Sequence, residues 1–178
     1  MKRTMICLAL TLGTALAQDI KFPPAFEKLA EKASEVVDVT LDGQLLQMAS
    51  RFLSNKEPEE AKVKDMVGKL KGIYVRSFEF DKEGEYTQAD LDSIRNQVKG
   101  PGWQRMVSVR SAKGGDNAEI FLRMENNNPA GLIVLAAEPK ELTVVNIVGP
   151  IDLDQLSELG GHFGVPKLER TEKKPAKD

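Results

Sequence analysis

WQRMVSVRSAKGGDNAEIFLRMENNNPAGLIVLAAEPKELTVVNIV, residues 103–148, decides the fold. Four runs in it read as β-strands: Trp103 to Ser111, Ala118 to Glu125, Gly131 to Ala137 and Leu142 to Val148. Turn chemistry separates them, in Gly114-Gly115-Asp116, Asn126-Asn127-Asn128-Pro129 and Glu138-Pro139-Lys140. Connections this short force antiparallel neighbours, so the stretch is a meander. Ile120, Leu122 and Met124 alternate with Glu119, Arg123 and Glu125, the period of a strand with two unlike faces. Leu132 to Ala137 is apolar on both faces, which predicts a central strand.

Upstream, helical spacing dominates. Phe22, Phe26, Leu29, Ala30 and Ala33 predict a helix, with Pro23 and Pro24 at its start, where a missing N–H costs least. Val37, Val39 and Leu41 alternate with polar residues as a strand, and Asp42 caps a second helix whose apolar stripe is Leu45, Leu46, Ala49, Phe52 and Leu53. After a break at Asn55 to Pro58, a third helix starts with acids and ends with Lys69 and Lys71, burying Val63, Met66, Val67 and Leu70. Ile73 to Phe80 reads as a strand, and Thr87 with Asp90 as a capping box opening a helix to about Val98. Asp152 and Gln155 have the same spacing, before a short helix ended by Gly160-Gly161. The expected class is α+β in two layers: an antiparallel sheet of five or six strands with helices mainly on one face.

The first seventeen residues have a different character. Lys2 and Arg3 precede the apolar run Met5 to Leu12, and Ala15-Leu16-Ala17 before Gln18 is a small-x-small cleavage site. The run is shorter than the roughly 20 residues a bilayer span needs, so cleavage and export are expected. Residues 18–165 then form one domain, and 166–178, rich in Lys and Glu without an apolar period, form a disordered tail. Cys7, the only cysteine, leaves with the signal, so neither a disulfide nor a lipid anchor at the cleavage site is available. Removing 17 of 178 residues leaves 161, enough to bury a core alone.

Composition narrows the function. Lys2 and Arg3 are two of the 25 basic residues and the acids number 27, so the cleaved chain carries about −4, a poor match to nucleic acid. One Trp and two Tyr offer few platforms for a glycan. His162, the only imidazole, sits in Gly160-Gly161-His162-Phe163-Gly164, either as a base on a glycine-rich loop or as a residue suited to the negative end of the preceding helix; the second reading is favoured. One His and no mature Cys argue against zinc. Asp90-Leu91-Asp92 and Asp152-Leu153-Asp154 are the acidic pairs to weigh for calcium, and helix starts explain both better. No nucleophile elbow, metalloprotease helix or phosphate loop occurs, and 27 acids make carboxylate pairs uninformative. Trp103 with Arg105 has the composition of an interface hot spot, but Trp103 also begins the first meander strand and suits the end of the sheet; the second reading is favoured.

Gly102 to Arg110, Ile120 to Arg123 and Glu138 to Leu153 resemble a bacterial family of unknown function, number four-two-five-two, over Phe26 to about Pro166. The resemblance implies an exported, often envelope-associated α+β protein, with genes near extracytoplasmic sigma-factor systems, and it supplies no functional residues. Some relatives are lipoproteins; this chain departs from them, with Gln18 where they have the lipidated cysteine. The expected function is a non-enzymatic periplasmic or secreted module that contacts an envelope protein, without cofactor, metal, nucleic acid or a membrane span after cleavage. The alternatives are a small carboxylate or serine hydrolase and a binder of a small apolar ligand, which a concave pocket would favour.

Overall fold

The computed structural model describes residues 21–152 apart from 54–57 and 112–114. The elements run α1 (Ala25–Ala30), β1 (Glu35–Asp42), α2 (Gly43–Phe52), α3 (Pro58–Lys69), β2 (Gly72–Glu79), α4 (Gln88–Arg95), β3 (Trp103–Arg110), β4 (Asn117–Glu125), β5 (Asn128–Glu138) and β6 (Glu141–Val148). The six strands form one sheet in the order β1-β2-β6-β5-β4-β3, antiparallel at every step. The meander is therefore as expected, with β5 internal and β3 at an edge. The first two strands, whose position the sequence leaves open, join beyond β6.

Local chemistry accounts for the ends of the elements. Asp42 accepts a hydrogen bond from the Leu45 amide at 2.9 Å, and Thr87 and Asp90 form the expected capping box. Asn126 and Asn127 turn β4 into β5 with φ of 50° and 64°, the left-handed pair that matches a two-residue loop to the right-handed twist of its strands. Gly149, at φ +131°, turns the chain after β6 where a Cβ would lie 2.9 Å from the Leu70 Cα and the Lys71 nitrogen. Three helices are shorter than the periodicity predicts or pack less: α1 covers 25–30, α4 stops at Arg95, and of the third helix's expected apolar face only Leu70, just past its end, is buried.

The two sides of the sheet differ. On one, Phe78, Leu142, Val144, Ile133, Leu135 and Phe121 are buried under Phe26 and Leu29 of α1 and under Leu91, Ile94 and Val98 on and after α4. Aromatic rings link these layers, from Phe26 to Phe78 at 5.5 Å, then Phe80 at 6.5 Å and Tyr86 at 6.1 Å. The other side, here the far face, carries an unbroken apolar rung across all six strands: Val39, Val75, Val145, Val134, Ile120 and Val107. Every member of that rung is half-buried. The apolar alternation of β4 thus points away from α1 and α4, and Glu119 points beneath them.

Phe78→Ala is expected to cost about 3–5 kcal/mol in urea unfolding, because it opens a cavity where α1, β2 and the aromatic rings meet. Phe52→Ala is expected to shift stability by no more than about 0.5 kcal/mol.

Candidate functional site

α2 exposes three large apolar side chains, more than any other described element. Leu46 and Ser50 form its buried line. About 100° round the helix per residue, the remaining apolar residues fall on one arc. Leu45 is 44%, Met48 55% and Phe52 89% exposed, with Ala49 exposed between them. The stripe expected to face the core therefore faces solvent along most of its length. The reason lies in the partner: from Glu60 to Lys69, α3 supplies residues that are at best half-buried, and these do not cover both sides of α2.

Beside this stripe, a groove of about 430 Å³ lies between α2 and α3, lined by Ser50, Ala61, Lys64, Asp65, Gly68 and Lys69. It holds no activated nucleophile: the Ser50 hydroxyl donates to the Gln47 carbonyl at 2.9 Å, and Lys69 pairs with Asp65. Nor do three metal-ligating side chains converge anywhere among the described residues.

Trp103 and Arg105 share the helix side of edge strand β3. Trp103 is half-buried against the core formed with α1 and α4. Arg105 lies 3.4 Å from Glu119, which is buried on β4. Arg95 of α4 also holds that carboxylate, through Nε, and pairs with Asp92 at 3.0 Å. Burial works against the Arg95 charge, but hydrogen bonds to Glu119 and Asp92 outweigh it and its pKa is raised. A second guanidinium, Arg76, joins Glu27 at 2.8 Å and Asp38 at 2.9 Å and lies over the Phe22 ring at 5.0 Å. Its pKa rises chiefly through the hydrogen bond to Glu27. Sequence reading missed both clusters, since Glu119 reads as one more polar residue in an alternating strand. The Asp90/Asp92 pair is taken up by the Thr87 cap and by Arg95. Ala15, Ala17, Gln18, His162, the acidic partner Asp154 and the charged tail lie outside the described residues.

Two polar features remain. Ser77, Thr143 and Glu141 form a hydroxyl–carboxylate cluster on the far face, with Ser77 and Thr143 donating to Glu141 at 3.0 and 2.8 Å. It contains no imidazole or amine to act as base. Asn146, buried on β6, has an unpartnered amide nitrogen, a cost of about 1–3 kcal/mol. At the β5–β6 turn, burial pushes the Glu138 carboxyl up, and the charges of Asp116 and Glu141 add to the shift.

Arg95→Ala is expected to cost about 3 kcal/mol, because it strips a buried carboxylate of its closest cation; urea unfolding of Arg95→Ala and Arg95→Ala/Glu119→Leu checks this, and the double variant should recover most of the loss. Glu138 follows the opposite sign. A folded pKa above the unfolded one means that the ionised group opposes folding, and that this penalty vanishes as pH falls through the folded pKa. Glu138→Gln should therefore be more stable than the parent at about pH 7, with an advantage that shrinks by about pH 4 in paired urea titrations.

No curated protein matches the chain. No helix among the described residues is long and apolar enough to cross a membrane. The family described as Domain of unknown function (DUF4252) matches residues 28–159, from α1 through all six strands and past the last of them. The match spans well over half of the 178 residues, and the chain belongs to that family.

Proposed function

We propose that this chain is an exported, non-enzymatic module that binds another protein of the cell envelope through the apolar stripe of α2. The observation that carries the reading is Phe52, 89% exposed in line with Leu45 and Met48 on one arc of one helix. Such a row gains nothing from its own fold, and rows of large apolar side chains around an aromatic anchor are what protein interfaces bury. Edge strand β3 offers a second contact. Its outer backbone groups have no strand partner among the described residues, and it carries Trp103 and Arg105. Export is supported by Lys2 and Arg3, the apolar run after them, and Ala15 and Ala17 before Gln18. Reversible contact of this kind suits a component of envelope signalling.

The test is crosslinking of a tagged chain in the envelope of its own host. Leu45→Ser/Met48→Ser/Phe52→Ser is expected to change folding stability by less than about 1 kcal/mol, since all three side chains are exposed. The same variant should lower recovery of one dominant envelope protein by about tenfold, the equivalent of roughly 1.4 kcal/mol of binding. Unchanged recovery contradicts the proposal. So does binding of the purified chain to protein-free lipid vesicles that the triple variant abolishes, because α2 would then be a membrane contact.

A further inference from the structure

The two edges of the sheet, β1 and β3, are chemically opposite. β1 carries only acids, Glu35, Asp38 and Asp42, and β3 only bases, Arg105 and Arg110. Val36 and Val37 on β1, and Met106 and Val109 on β3, also leave apolar side chains exposed. Edges of this kind template pairing with another chain unless charge opposes it. Here like charge opposes β1 on β1 and β3 on β3, while opposite charge favours β1 on β3. Asp38 is still exposed although it holds Arg76, and Arg110 pairs with no acid among the described residues.

Backbone geometry fits as well. The Phe80 amide donates to the Lys140 carbonyl at 2.8 Å, so even-numbered residues of β2 turn their backbone groups to β6 and odd-numbered ones to β1. By register, Val37, Val39 and Leu41 then bond β2, and Asp38 and Thr40 turn their backbone groups outward. The Met124 amide donates to the Gly102 carbonyl at 2.7 Å, which fixes β4 in the same way. Past the bulge between Arg105 and Val107, Val107 and Val109 bond β4, and Ser108 and Arg110 turn theirs outward.

One antiparallel register satisfies both edges. It sets Asp38 opposite Arg110, Val39 opposite Val109, Thr40 opposite Ser108 and Leu41 opposite Val107, an ion pair, a hydroxyl pair and two apolar pairs. The faces match too: Asp38, Thr40, Ser108 and Arg110 lie on the helix side of the sheet, and the four apolar residues on the far side. Six alternating strands make β1 and β3 run in opposite directions, so a second copy in the same orientation presents its β3 antiparallel to β1.

We infer that β1 of one copy of this chain pairs with β3 of a second copy, extending one sheet through both with the helices on the same side. The contact is head-to-tail, so each end of a pair keeps one open edge and assemblies grow beyond dimers. It leaves the α2 stripe free, and it is tested on the purified chain alone, apart from the envelope crosslinking.

Sedimentation velocity of the chain purified from its own host is the first measurement. Assemblies larger than a dimer are expected to grow with protein concentration and to recede as salt screens the facing charges. A chain that stays monomeric up to about 1 mM overturns the inference. Thr40→Pro and Ser108→Pro each remove one outward amide, where an edge strand tolerates proline, and spare the bonds to β2 and β4. Each variant alone is expected to be monomeric, and their equimolar mixture to form a dimer that grows no further. Association of either variant by itself overturns the inference. A second measurement, without proline, mixes Val39→Cys and Val109→Cys copies, both carrying Cys7→Ser. These positions form a non-hydrogen-bonded pair with Cα atoms about 4.5 Å apart, within disulfide reach. Their mixed disulfide is expected to form at least roughly tenfold faster than that of Val37→Cys with Val109→Cys, which lie two residues out of register. Equal rates, or a Val39→Cys homodimer formed as fast, overturn the inference.

Discussion

Everything in this fold depends on where β6 goes. The last strand of the meander inserts between β5, its neighbour in sequence, and β2, which is more than sixty residues away. Asn146 pairs with Tyr74 on one side of it and with Ile133 on the other. Without that insertion, β1 and β2 would be an isolated two-stranded ribbon, marginal in water, and the buried Phe78 would lose Leu142, its partner on β6. With it, α1 and α4 gain a continuous apolar floor, and the aromatic contacts from Phe26 to Tyr86 tie both helical segments to the same strand. Closure through a long sequence separation carries a loop entropy cost. The closed face offsets it with a dense set of fully buried side chains.

That closed face is also why the molecule has apolar surface to spare. α1 and α4 are short and cover one side of the sheet. The α2–α3 pair stems from the sheet end where β1 finishes and β2 begins, and leaves Leu45, Met48 and Phe52 in solvent. The buried charges lie on the covered side, where Arg95 and Arg105 flank Glu119 and Arg76 joins α1 to β1. Such pairs contribute little net stability. They fix which helix lies over which strand. The result is a sheet with its ion pairs and closed core on one side and half-buried apolar side chains along the middle of the other.

Much of this was legible in residues 103–148. Short turns with Asn, Gly and Pro specify antiparallel neighbours, and the doubly apolar Leu132 to Ala137 run could only be internal. Caps at Asp42 and Thr87 were legible because their hydrogen bonds are local. What periodicity does not encode is which side of the sheet the helices take. Ile120, Leu122 and Met124 read as core and face away from α1 and α4, while Glu119 reads as surface and is buried. In the same way Leu45 and Phe52 read as core, because an amphipathic stripe looks alike whether its partner is its own sheet or another molecule. Trp103 was legible as both structure and contact, and its half-buried place on an edge strand retains both.

Stability in this molecule is concentrated in the sheet and its covered face, with α2 and α3 held only loosely to it. Native-state hydrogen exchange of the full chain tests that most directly, since it reads the opening free energy of each amide. Amides of β2, β5 and β6 are expected to exchange only by global unfolding, whereas those of α2 and α3 exchange through local opening at least roughly a hundredfold faster. Equal protection in α2 and β5 would contradict this distribution, because the α2 stripe would then be packed within the folded core and not free to meet a partner.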